Sequence, residues 1–294
     1  MAEPELSLVA EVVLDAHAEV GEGPTWDVEG QRLWWVDIPR GAVHAFDPAT
    51  GTDDVITVDQ PVGAVVLRRS GGLLLAVRDG FAALEEGRLR LLAAVEIDRP
   101  ENRMNDGKVD PAGRFWAGTM ALDMAPGAGA LYRLVTDQQV DTVLTGLTIS
   151  NGMDWSPDGH TMYFIDSGPG RVTSYSYDRD SGEISEPRTL IEIAPEDGLP
   201  DGMTVDSAGG LWVAIWDGAA VRHYSTDGTF LDEIRVPARQ VTSCAFGGPE
   251  LRDLYITSAA EDLSPEQLVE QPHAGALFRV TPGVVGRDPH LCNN

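Results

Sequence analysis

The sequence predicts an all-β fold, a six-bladed β-propeller of four-stranded blades. Three observations lead there. A unit of short apolar runs recurs with a period of about 45 residues, hairpin-turn dipeptides separate the runs, and long stretches of helical period are missing between them. An α/β protein would need helical segments of about ten residues or more between strands, and Ser264 to Val269 is the one fair candidate.

Taken in chain order, the apolar run from Leu8 to Leu14 has strand character and precedes the first repeat. It is predicted to supply the outer strand of the last blade, which ties the termini together and removes an exposed sheet edge. The first unit starts at Gly23 and continues through Leu33 to Asp37 and Val43 to Pro48. A weaker copy starts at Gly63, with Arg69 to Gly72 as its turn, and another at Gly107, with Asp110 to Gly113. The fourth is the clearest: Ser150 to Gly159 leads into Met162 to Asp166 and then Val172 to Asp178. The fifth runs from Gly202 through Leu211 to Ala214 and Val221 to Tyr224, and the sixth begins near Ser243, with Gly247-Gly248-Pro249. The anchors Gly23, Gly63, Gly107, Gly152, Gly202 and Ser243 are spaced by 40, 44, 45, 50 and 41 residues, a spacing that suits one blade per unit. Asp-Gly and Gly-Gly steps supply the positive backbone angles of tight hairpins. The six units occupy nearly the whole chain, so residues 1–294 are read as one domain.

Composition narrows the function. With 21 Lys plus Arg against 47 Asp plus Glu, the net charge of −26 argues against nucleic acid or an anionic membrane as partner. No apolar stretch approaches the roughly 18 residues of a membrane span. The start of the chain carries Glu3 and Glu5 and lacks a basic region followed by an apolar one, so no signal peptide is expected and a cytoplasmic location is the default. Two cysteines, Cys244 on a predicted inner strand and Cys292 in the tail, fit a reducing compartment. The six histidines lack paired helical spacing, so a zincin site is not supported, and Asp178 to Glu183 reads as a solvated hairpin turn. Trp26, Trp155 and Trp212 read as blade core.

The residue before each anchor is Glu22, Val62, Asp106, Asn151, Asp201 and Thr242. Innermost propeller strands flank the central channel, so one position repeated in each blade forms a layer of side chains around it. Any single Asp-Gly or Asn-Gly can be a plain turn dipeptide. Four oxygen donors together, one of them a Glu, point instead to a ring. Carboxylates sharing a narrow channel raise one another's pKa unless a cation neutralises them. Oxygen donors without cysteine or clustered histidine suit one divalent cation, Ca²⁺ first, with Mg²⁺, Mn²⁺ and Zn²⁺ as further choices.

Several segments carry a family resemblance: Gly21 to Trp26, Asn102 to Met120, Ser150 to Ser156 and Pro200 to Met203. They resemble the senescence marker protein, regucalcin, gluconolactonase and luciferin-regenerating enzyme family, over essentially the full chain. The resemblance implies a six-bladed propeller that hydrolyses a sugar lactone with one divalent cation in its channel. It implies Glu22, Asn151 and Asp201 as metal ligands, Arg103 and Asn105 as substrate contacts, and Asp106 as a carboxylate just outside the ligand set. Asp123 stands where such proteins commonly carry a Glu that reaches sugar hydroxyls, and its shorter side chain points to a different lactone. Asp201 is then expected to serve as ligand and general base, with Asp106 as second choice. Ala16 to Val20 and Ala125 to Gly129 are read either as a lid and rim over the channel mouth or as ordinary loops. Two other functions stay open: a calcium-binding regulatory propeller without catalysis, and a hydrolase of a non-sugar lactone or phosphoester.

Overall fold

The computed structural model describes residues 8–293; the acidic opening at Glu3 and Glu5 lies outside them. Among the described residues, six sheets of four antiparallel strands follow one another around a central channel. Their inner strands are Gly21–Asp27, Val62–Leu67, Asn102–Val109, Ser150–Trp155, Leu199–Val205 and Val241–Gly247. The last blade is built from Val241–Gly247, Asp253–Ser258 and Leu277–Val280, and its outer strand is Glu11–Leu14 from the other end of the chain. The predicted closure is therefore present, and it pairs the exposed edge of the last blade. The fair helical candidate is a short helix, Pro265–Glu270, capped by Ser264 and Gln267 in a reciprocal pair of bonds. No helix among the described residues is long and apolar enough to cross a membrane.

The anchor positions have a common local cause. In all six inner strands the pairing register shifts at the anchor, for example between Glu22 and Thr25, Ser150 and Met153, and Pro200 and Met203. Such a bulge inserts an extra residue and re-aims its side chain, here toward the channel. The Asp-Gly and Asn-Gly steps at the anchors thus belong to strand bulges and not to hairpin turns. Glycine is needed there because neighbouring inner strands approach closely; a Cβ on Gly152 would lie 2.6 Å from the Asp201 carbonyl oxygen.

Between blades the core is apolar and aromatic. Trp26, Trp155 and Trp212 are fully buried, as the repeat predicts. Asp110 and Asp206, at the same point of blades three and five, accept the indole N–H of Trp116 and Trp212 at 2.9 Å, so those rings keep their hydrogen bonds inside the core. Burying one such large side chain contributes about 1.5–3 kcal/mol. Cys244 and Cys292 are both buried, and burial pushes the Cys244 thiol up to about 12, which rules it out as a nucleophile near neutrality.

The C-terminal tail closes one end of the channel. It crosses beneath five blades, with Gly286 donating to Leu251, Ser207 donating to Val285, Arg287 reaching Val205 and Trp155, Asn293 donating to Gly113, and Cys292 donating to Leu67. The opposite end, where the inner strands begin, stays open and carries the candidate site.

Candidate metal and substrate site

The open end of the channel holds a cavity of about 300 Å³ lined by Glu22, Arg103, Asn105, Asn151 and Asp201 among others. That volume is within the range of small-molecule sites. Five of the seven predicted residues therefore meet in one place. Asp106 is buried but turned toward a second, smaller cavity at the tail-covered end, which it lines with Lys108, Asp154 and Arg287. Asp123 lies exposed at the rim, where its carboxylate accepts the Ala125 amide at 3.1 Å, and its neighbour Met124 lines the open cavity instead.

The two acidic ligand candidates are electrostatically strained. Burial first, then the charges of Asp201 and Asp106, hold the Glu22 carboxyl well above the usual range. Burial and the Asp106 charge do the same to Asp201. Asp106 is pushed up to about 6 by burial, against the opposing Lys108 charge and the Gly107 amide. Bulge geometry leaves two of the three carboxylates a backbone partner next door: Gly23 donates to Glu22 Oε2 and Gly107 to Asp106 Oδ1, both at 2.6 Å.

The residues fit a hard divalent cation. Asn151 donates its Nδ2 to Ser167 Oγ at 3.0 Å, and the Ser167 hydroxyl donates in turn to the Pro200 carbonyl at 2.7 Å. The amide also hydrogen-bonds Asp201, and Asn151 Oδ1 is left buried without a hydrogen-bond partner in the cavity that Glu22 and Asp201 line. An orphaned carbonyl-type oxygen next to two mutually repelling carboxylates is relieved by a cation. No histidine or cysteine lines the cavity. Among the described residues no three His, Cys, Asp or Glu side chains gather in a metal-holding group, so a three-donor set in this cavity would include the carboxamide.

Arg103 projects from the inner strand of blade three, and its Nη1 donates to Asn105 Oδ1 at 2.6 Å and to the Met104 carbonyl at 3.0 Å. Asn105 Nδ2 donates to the Ser150 carbonyl at 2.9 Å. Asn105 thus holds the guanidinium in place and keeps one N–H to offer. Ala16 to Val20 is a fixed wall: Asp37 accepts the amides of Glu19 and Val20, and Ala18 donates to Gly275. The sequence reading missed Ser167, Gln240, Glu261 and Asp262, which also line the cavity.

Fold and site together define a channel-site β-propeller with an oxygen-donor set at its open end. The chain belongs to the SMP-30/Gluconolactonase/LRE-like family, whose model matches residues 20–260. It is 40% identical to regucalcin of Homo sapiens over 293 residues, covering 97% of this chain and 98% of the relative. Among solved structures it is similar to a calcium-binding protein, regucalcin, from Agrobacterium tumefaciens, with a TM-score of 0.94, 31% identity and 99% and 100% of the two chains covered. It is also similar to a luciferin-regenerating enzyme, with a TM-score of 0.91, 35% identity and 97% and 99% covered. Gluconolactonases are part of this family, which supports lactone hydrolysis as an activity at family level.

Proposed function

We propose that this protein is a divalent-metal-dependent lactonase that hydrolyses a sugar lactone, an aldonolactone of hexonic or pentonic type. The unpartnered Asn151 oxygen carries the reading, because it sits with Glu22 and Asp201 in a cavity that also presents Arg103 and Asn105. Glu22, Asn151 and Asp201 would hold the cation, with Ca²⁺ as the first choice. A cation bound there supplies Lewis-acid polarisation of the lactone carbonyl and eases ionisation of a water. Arg103 orients substrate oxygens with the guanidinium N–H groups not used on Asn105 and Met104, and Asn105 adds one N–H. Asp201 accepts a proton as water attacks the carbonyl carbon, and Asp106, on the far side of the channel floor, is the second choice. The apolar walls contributed by buried Ile38 and half-buried Ile149 and Leu199 limit water around the reacting ester.

The test is proton release from a panel of lactones by metal-stripped protein, with Ca²⁺, Mg²⁺, Mn²⁺ and Zn²⁺ restored one at a time. Turnover should vanish on stripping and return with at least one cation; undiminished turnover in the stripped protein would remove the proposal. A calcium-binding propeller without catalysis is the second reading, favoured by the description of the Agrobacterium relative as calcium-binding. It predicts cation uptake with no proton release from any lactone.

Ser167 offers an independent check on the ligand set. Ser167→Ala frees the Asn151 amide to rotate, and loss of such an outer hydrogen bond weakens metal affinity by about 10–100-fold. Calorimetric titration with Ca²⁺ reads this directly, and an unchanged affinity would take Asn151 out of the ligand set.

A further inference from the structure

Gln240 immediately precedes the inner strand of the sixth blade, and Glu261 lies just beyond that blade's second strand. The sixth blade faces the third across a six-membered ring, so both residues oppose Arg103 over the open cavity. Gln240 is only 8% exposed. Its Nε2 donates to the Glu261 carbonyl at 3.0 Å, while its Oε1 has no hydrogen-bond partner. A buried acceptor left unpaired at a cavity wall calls for a donor from whatever fills the cavity.

The charges in the cavity give the second half of the argument. Arg103 is the single cation among its lining residues, against Glu22, Asp201, Glu261 and Asp262. Of the carboxylates acting on Arg103, Glu261 acts most strongly, yet the bonds that the guanidinium makes go to Met104 and Asn105. Glu261 therefore remains available, half-buried and lining the same space.

Resting on the lactonase reading above, we propose that Gln240 and Glu261 form the second wall of the substrate site: they accept hydroxyl protons from a neutral polyhydroxylated lactone, and Glu261 repels the carboxylate product. Hydrolysis changes the charge of the bound molecule. The water oxygen bonds to the carbonyl carbon, the ring C–O bond breaks, the ring oxygen takes a proton to become a hydroxyl, and the new acid loses its proton near neutrality. Substrate is neutral and product is an anion. Arg103 attracts that anion from one side, and Glu261 offsets the attraction from the other. The wall thereby selects for hydroxyls on the way in and against a carboxylate on the way out.

Calorimetric titration of the Ca²⁺-loaded protein with sorbitol, a neutral polyol, and with gluconate, an anionic one, tests this. Glu261→Gln should tighten gluconate about tenfold relative to sorbitol, Glu261→Asp should restore the wild-type ratio, and Gln240→Leu should weaken sorbitol about tenfold. Thermal unfolding of each variant confirms that it is folded. A gluconate-to-sorbitol ratio within about twofold of wild type in Glu261→Gln, or absence of sorbitol binding by the wild type, overturns the proposal. Wild-type protein that binds sorbitol with this charge dependence but hydrolyses no lactone ends the lactonase reading and leaves the wall intact.

Discussion

Asp201→Ala is expected to abolish cation binding and lactone turnover together. The substitution removes one of two carboxylates from the proposed three-donor set, and what remains is Glu22 and a neutral amide oxygen, too little for a hard divalent cation in competition with water. It also removes the proposed proton acceptor, an effect of about 10²–10⁴-fold by itself. Asp201→Asn separates the two roles, since it keeps an oxygen donor at the same bulge but not the base. Its Ca²⁺ affinity should fall while remaining measurable, and its kcat should fall by at least about 10²-fold at saturating cation. Asp106→Asn should affect turnover less than Asp201→Asn, because Asp106 faces the tail-covered cavity. Calorimetry and proton release together read these outcomes. Turnover by Asp201→Ala at even a tenth of wild type would sink the assignment of both roles.

The ring was legible in the sequence because the propeller repeats its geometry. Every inner strand bulges at the anchor, so equal position in the repeat means equal placement beside the channel. What the repeat cannot encode is which end of the channel a side chain faces. Glu22 and Asp201 turn to the open end, whereas Asp106 shares the other cavity with Lys108, a residue of its own strand two positions on. Ser167 was missed for a different reason: it lies beyond the second strand of its blade, away from the anchors. A signal existed, since Asp37 and Asp166 occupy equivalent positions, opposite Gly21 and Ser150, and the residues that follow them, Ile38 and Ser167, both line the open cavity. Gln240 and Glu261 had none, because their blade lacks a carboxylate at its anchor and the loop after its second strand is longer, carrying the short helix. The segment Ala16 to Val20, read from sequence either as a lid or as an ordinary loop, is tied down by Asp37, a contact between residues about 18 apart that no local pattern announces.

The largest loss of stability is expected at the tail-covered end of the channel, at Asp154. This buried carboxylate joins four parts of the molecule. Its Oδ2 accepts from Lys108 Nζ of blade three at 3.1 Å and from the Val205 amide of blade five at 2.9 Å. Its Oδ1 accepts from the neighbouring Trp155 amide at 2.7 Å and from Arg287 of the C-terminal tail at 3.0 Å. Asp154→Ala would leave two cations and two amides facing an apolar methyl group, and breaking a buried pair in this way costs about 3–5 kcal/mol. At about 2–3 °C per kcal/mol for a chain of this size, Tm near neutral pH should drop by roughly 10 °C. The loss should also depend on pH. Burial by itself would raise the Asp154 pKa, but Lys108, Arg287 and the two amides hold it below the usual carboxylate value. A carboxylate depressed in the folded state contributes stability above its unfolded pKa of about 4, and that contribution is lost as pH falls through the folded value. The Tm gap between wild type and Asp154→Ala should therefore be full at pH 7 and narrow below about pH 4. Thermal melts at several pH values decide the matter: a gap that stays constant down to about pH 3 would mean that Asp154 stabilises through packing and not through its charge.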